Sequence, residues 1–297
     1  MSDSLMANRL LVYRLFPQRS TMSTRIRNVA IARENEKIIQ EGHYEAAGAL
    51  FHFFHPLSLL AKAEIYEPKV LEALRGRMES ADFPVRQGRI AVAEGESFDF
   101  PGDMVLNFAN AFTPGGGYLY GASSQEEALC RESTLYASLS GSGALPYYAR
   151  NRAEESRYGS DGILLSPHVE IFRRNAKENL SLFGPPRKTA VITAPAVDLR
   201  GPAGNESPAF ISTIRQRRMA HILALSVFKG YRTLTLGAWG CGVFLNSPKE
   251  VASDFYEILV NQGYRRFFDR LTFAIYCPGD KRNLEAFSEK FACALRA

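Results

Sequence analysis

Two adjacent carboxylates, Glu126 and Glu127, follow a strand-like run and a triple glycine in VLNFANAFTPGGGYLYGASSQEEALCRESTLYASL, residues 105–139. Carboxyl groups behind a glycine turn can do acid–base work on a bound sugar: one can hold hydroxyls while the other donates a proton to a glycosidic oxygen. Gly115, Gly116 and Gly117 reach backbone angles closed to other residues and leave bare N–H groups for a ligand to lie against. Neighbouring side chains on a helix diverge by about 100°, so these two glutamates cannot be the facing acid and nucleophile of most glycosidases. At most one is central to bond breaking. The same run also suits an ordinary first helical turn, where carboxylates complement the dipole.

A second segment, GAWGCGVFLNSPKE at residues 237–250, again leads from an apolar strand through glycines into a helix. Backbone amides around Gly240 and Gly242 could wrap a diphosphate, and Phe244 could stack on a ribose or base; a plain glycine turn with a core phenylalanine fits the same residues. Ser247, Pro248 and Glu250 read as the N-cap, first-turn proline and third-position carboxylate of a capping box. Cys241 has no histidine near it in sequence, and His221 falls in a regular helical run, so a small side chain tolerated in a tight loop is favoured over a nucleophile. His52 and His55 in FHFFHP could share a helix face, but Phe51, Phe53 and Phe54 around them favour core packing over metal binding. Cys130, Cys241, Cys277 and Cys293 lack the close spacing of zinc sites and read as buried or free thiols in a reducing compartment.

The elements that must position these groups follow from periodicity. After Pro84, apolar runs at 89–94, 104–109, 189–196, 232–239 and 270–277 read as strands, most too apolar to face water. Helical patterns cover about 125–139, 208–228, 248–262 and 281–295. Buried strands between amphipathic helices imply an α/β/α three-layer sandwich, with ligands beyond the strand ends. Residues 23–84 read as a helical N-terminal extension without clear strands, with helices over about 23–39 and 57–78 and a stop at Gly42. Residues 140–188 read as irregular structure over a core spanning 85–297. Residues 1–22 read as a disordered arm, with Met22 a second candidate start.

The chain has 297 residues, 46% hydrophobic and 23% charged, which is ample material for a folded core. A formal charge of +5 spread over this length reads as a solvated surface, and no specific nucleic-acid binding is expected from it. Arg9, Arg14 and Arg19 interrupt the first apolar stretch, and nothing later is long enough to span a membrane, so a cytoplasmic monomer is expected.

NFAN, then PGGG, a seven-residue spacer and QEE resemble the signature of microbial-type poly(ADP-ribose) glycohydrolases. The likeness extends to SPHVEIFR at 166–173, ITAPAVDLRG at 192–201 and GAWGCGVFLN at 237–246, and so spans most of the chain from about residue 25. The resemblance implies a macrodomain-like fold with a mixed sheet, no metal or other cofactor, and poly(ADP-ribose) or ADP-ribosylated protein as partner with ADP-ribose as product. It further implies Glu127 as the catalytic acid, Glu126 on ribose hydroxyls and Asn110 on the distal ribose. Gly115, Gly116 and Gly117 would support the catalytic loop together with Gln125. Gly240, Cys241, Gly242 and Val243 would form the diphosphate loop, with Phe244 near the ribose. A hydrolase removing single ADP-ribose units from protein, and a non-catalytic ADP-ribose reader, are the competing readings of the same cleft.

Overall fold

The computed structural model describes residues 22–154 and 158–292, so Cys293 and all of the arm expected over residues 1–22 except Met22, which opens a helix, lie outside the described residues. Helix α1 (Met22–Glu41) leads into a hairpin of β1 (His43–Ala46) and β2 (Ala49–His52), a helical turn α2 (Leu57–Leu60), strand β3 (Glu64–Tyr66) and helix α3 (Pro68–Ser80). There follow β4 (Arg89–Glu94), β5 (Met104–Phe108), α4 (Gln125–Glu132), α5 (Leu135–Ser140), α6 (Leu145–Ala153), β6 (Ile163–Arg173), β7 (Leu182–Ala194), α7 (Pro208–Phe228), β8 (Thr233–Leu236), α8 (Pro248–Tyr256), β9 (Arg270–Ile275) and α9 (Arg282–Phe291).

Seven strands form one mixed sheet in the order β3-β6-β7-β5-β8-β9-β4, parallel from β7 to β4 and antiparallel at the β3 and β6 edge. The alternation of a strand explains the three layers. On β5, Met104 and Leu106 point into a core with α3, α7, α8 and α9, while Val105 points to the opposite face, where α1, α4, α5 and α6 pack. Asn107, two residues beyond Val105, is therefore delivered beneath α4. Helix α7 is buried without a break from Arg218 to Val227, as befits a helix pressed between sheet and neighbouring helices.

Four sequence expectations are corrected. Residues 43–66 hold strands where a helical extension without clear strands was expected. Ala47 and Gly48, at φ 50° and 78°, make the tight turn of a β1–β2 hairpin, a turn that lacks the usual Asn-Gly signal. The helix expected over 57–78 is interrupted where Glu64–Tyr66 pairs with residues 163–165, which brings the extension into the main sheet. Residues 140–188 are regular, not irregular: they form α6 and most of a long β6–β7 ribbon. Charged residues and Pro167, Pro185 and Pro186 hide that ribbon in the sequence, and Pro167 falls at the register shift between Ser166 and Val169, where a missing N–H is tolerated. Finally, the expected 125–139 helix breaks at Ser133 and Thr134, because Thr134 turns to β6, its N donating to the Glu170 carbonyl and its Oγ1 accepting from Glu170 N.

Candidate active site

Gln125 joins the start of α4 to the end of β5. Its Nε2 donates to the Leu106 carbonyl at 2.9 Å and to Ser97 Oγ at 3.0 Å, and its Oε1 accepts from Phe108 N at 2.9 Å. With the helix start so fixed, both following glutamates are buried, at 3% and 7% exposure. Asn107 Nδ2 donates to Glu126 Oε1 at 3.1 Å and Asn110 N donates to Glu126 Oε2 at 2.8 Å. Gly117 N donates to Glu127 Oε1 at 2.8 Å, whereas Glu127 Oε2 is buried without a hydrogen-bond partner. Burial pushes the Glu126 carboxyl from an ordinary 4.5 up to about 8, with the neighbouring Glu127 charge adding, against the hydrogen bonds from Asn110 and Asn107 that pull it down.

The expected divergence of the two side chains holds at their roots but not at their tips. A Cβ on Gly116 would lie 2.6 Å from Glu127 Oε1 and 3.0 Å from Glu126 Oε2, so both carboxylates reach over the same glycine. With φ at 57° as well, that position is closed to other residues on two counts. Gly115 is pressed behind the site by Tyr136 and Cys130. The triple glycine thus supports the carboxylates from behind and does not form the cleft wall.

The cleft, about 800 Å3, brings together Asn110, Gln125, Glu126, Glu127, Gly240, Gly242, Val243 and Phe244. Asn110 also shapes the loop, its Oδ1 accepting from Phe112 N and Thr113 N. The 240–246 loop is closed from behind by Asn246, whose Nδ2 donates to the Val197 carbonyl at 2.8 Å and the Gly240 carbonyl at 3.2 Å. Arg215 in turn reaches Asn246 Oδ1 at 3.4 Å, Asp254 at 2.5 Å and Glu250 at 3.2 Å. Ser247 does cap α8, accepting from Glu250 N, but the Glu250 carboxylate goes to Arg215 and not back along a capping box. Gly242 faces open space. Cys241 stands outside the cleft lining, packed against the sheet core, and burial pushes its thiol up to about 12.

Sequence reasoning missed the far end of the cleft. Glu96, Ser97 and Phe98 after β4, Tyr276 and Pro278 after β9, and Arg200 after β7 all line it. Each follows the carboxyl end of a sheet strand, so the strand-end rule applied strand by strand would have found them. Burial raises the Glu96 and Glu132 carboxyls, with the Asp99 charge adding at the first and the Glu96 charge at the second. Thr24, Arg27 and Asn28 of α1 also line the cleft. That helix grips the loop after the glycines and helix α4: Arg25 Nε donates to Tyr120 O at 2.9 Å, Asn28 Nδ2 to Gly121 O at 3.2 Å and Asn35 Nδ2 to Arg131 O at 2.8 Å. His52 ends a strand and lies on no helix face; its ring packs tilted against His43 across the hairpin, while His55 bonds Glu170 at 2.7 Å.

Comparison with known proteins joins this geometry to a family. Residues 32–174 match the family model described as microbial-type PARG, catalytic domain. The crystal structure of poly(ADP-ribose) glycohydrolase from Thermomonospora curvata is similar at 32% identity and a TM-score of 0.81, over 90% of this chain and 100% of that one. The same enzyme bound to the inhibitor ADP-HPD is similar at 31% identity and a TM-score of 0.80, with the same coverage. Poly(ADP-ribose) glycohydrolase from Deinococcus radiodurans in complex with ADP-ribose is similar at 32% identity and a TM-score of 0.70, over 80% of this chain and 98% of that one. No curated protein matches. With a relative of this identity spanned along its full length, the chain belongs to the microbial-type poly(ADP-ribose) glycohydrolase family.

Proposed function

We propose that this protein hydrolyses the ribose–ribose O-glycosidic bond of poly(ADP-ribose) at chain ends, releasing ADP-ribose, with Glu127 as the general acid. The observation that carries the assignment is the asymmetry of the two carboxylates. Both oxygens of Glu126 accept from protein N–H groups, while Glu127 has one oxygen fixed by Gly117 and the other buried without a partner. An unpartnered oxygen held by a rigid backbone is suited to the glycosidic oxygen. Relatives bound to ADP-ribose and to ADP-HPD support the ligand class.

The bond is an acetal, so it breaks as the leaving ribose oxygen gains a proton and the anomeric carbon becomes oxocarbenium-like. Glu127 donates that proton and, as carboxylate, then takes one from the attacking water. Glu126 holds ribose hydroxyls, and Asn110 turns toward the distal ribose. The loop Gly240–Val243 wraps the diphosphate with backbone N–H groups, the Cys241 N–H being held by the Ala238 carbonyl at 3.1 Å, and Phe244 packs near the ribose. The adenosine lies toward Tyr276 and Glu96. Residues 85–297 act as the catalytic core and residues 23–84 as an extension that completes the cleft.

The test is release of free ADP-ribose from poly(ADP-ribose), followed by chromatography, with Glu127→Gln alongside. Turnover by that variant should fall by about 100- to 10,000-fold while ADP-ribose still binds in calorimetry. Near-normal turnover would remove Glu127 from the reaction. Early appearance of oligomers in place of monomer would contradict cleavage at chain ends.

A further inference from the structure

Arg131 follows Glu127 by four residues on α4, so the two side chains share one face of the helix. It lines the cleft yet is only 4% exposed, and a guanidinium held out of water is costly unless something compensates it. Its Nη1 donates to the Ala122 carbonyl at 2.5 Å. Ala122 N donates in turn to the Gly117 carbonyl at 3.2 Å, and the two residues are pressed together: a Cβ on Gly117 would lie 2.7 Å from that of Ala122. Gly117 N then donates to Glu127 Oε1 at 2.8 Å.

These bonds close a ring that leaves α4 at Arg131 and returns to it at Glu127, with the single helical turn Tyr118–Tyr120 between Gly117 and Ala122. Helix α1 holds the middle of that segment from outside, at Tyr120 and Gly121, and Arg131 holds its end from α4. Ser124, at the N-cap, makes no side-chain cap bond, so the approach to the helix is not fixed there. The charges around the ring point the same way. Burial pulls the Arg131 guanidinium below its ordinary range, and of the groups that favour its charge Glu127 comes first, ahead of Cys130, Glu132 and Tyr118. Glu96, after β4, also feels that cation, while Glu126 acts on the pair from α4 itself.

We infer that Arg131 is a positioning residue for the hydrolysis: through Ala122 it fixes the Gly117 N–H that orients Glu127, and it sets a positive charge on the same helix face as the acid. This rests on the proposed role of Glu127. The Gly117 N–H occupies one carboxyl oxygen and leaves the other for the glycosidic oxygen, so a loop displaced by about 1 Å turns the donor away from the bond. Once Glu127 has passed its proton to the leaving ribose oxygen, the nearby cation steadies the carboxylate that remains.

The experiment follows wild type, Arg131→Met and Arg131→Lys by release of ADP-ribose from poly(ADP-ribose), by calorimetry with ADP-ribose, and by exchange of the Gly117 amide in NMR spectra. In Arg131→Met, kcat should fall by about 100-fold while KM and ADP-ribose affinity stay within about twofold. The pH profile of kcat should also move up by about one unit, because loss of a cation disfavours a neighbouring carboxylate. Gly117 exchange should quicken by about tenfold. Arg131→Lys keeps the charge but donates as a single point, so its profile should stay in place and its kcat should fall between the other two. Wild-type kcat in Arg131→Met would overturn the inference. So would a lower kcat with the pH profile and Gly117 exchange unmoved, the mark of a purely structural residue, or a matching loss of ADP-ribose affinity, which would place the effect in ligand binding. If Arg131→Met does not fold, Arg131→Lys decides, and only a reduced kcat on an unmoved profile upholds the inference. If wild type releases no ADP-ribose, the proposed hydrolysis fails while Gly117 exchange still decides the positioning.

Discussion

Replacing Glu126 by Gln should invert the relative stability of variant and wild type across the neutral pH range. The native carboxyl keeps its proton up to about 8, whereas in the unfolded chain it titrates near 4.5. Between those values the unfolded state releases a proton that the native state retains. The stabilisation is therefore complete below about pH 4.5, falls as pH rises, and is gone above about pH 8. Three and a half units correspond to on the order of 4–5 kcal/mol, an upper bound for a group this coupled to its neighbour. Gln cannot titrate, but its amide N–H2 must face Asn107 Nδ2 or Asn110 N, donor against donor, at a pH-independent cost of about 1–3 kcal/mol. Urea unfolding at unit steps from pH 5 to 9 should find the variant less stable at pH 5, level with wild type near neutrality and more stable at pH 9. All other titrating groups are common to both proteins, so the difference isolates Glu126. A gap that stays flat within about 1 kcal/mol over that range would refute a buried proton at Glu126.

Two further substitutions separate the supports of the site. Gly116→Ala puts a Cβ against both carboxylates and strains a left-handed backbone; kcat should fall by about 100-fold, read by polymer turnover, with a far smaller change in ADP-ribose affinity. Asn246→Ala strands the Val197 and Gly240 carbonyls behind the diphosphate loop, costing about 1–3 kcal/mol in urea unfolding and weakening ADP-ribose binding in calorimetry by more than tenfold.

The sequence was most legible where one physical signal dominated. Helix α7 runs between the expected limits, Pro208 and Phe228, because a Ser207 cap, a first-turn proline and a long apolar run agree. The apolar parallel strands and the three layers followed from burial on both faces. What escaped notice depended on partners remote in sequence. β3 is three residues long and exists by pairing with Ile163–Leu165, the α4–α5 break is made by Glu170, and Glu250 turns from its own cap to Arg215. At the site, the motif residues were readable, but the convergence of Glu126 and Glu127 over Gly116 depends on how Gln125 pins the helix start.

The grip of α1 on the loop between Tyr120 and Gly121 bears on how the protein comes into being. The helix is made first, yet the residues it must hold emerge from the ribosome some ninety positions later, and β3 waits about a hundred for its partner strand. Assembly of the cleft is therefore a late, long-range closure, slow by topology. A fragment beginning near residue 85 would leave the β6 edge unpaired and prone to strand addition by other chains. For expression work, this catalytic core is not severable from what precedes it.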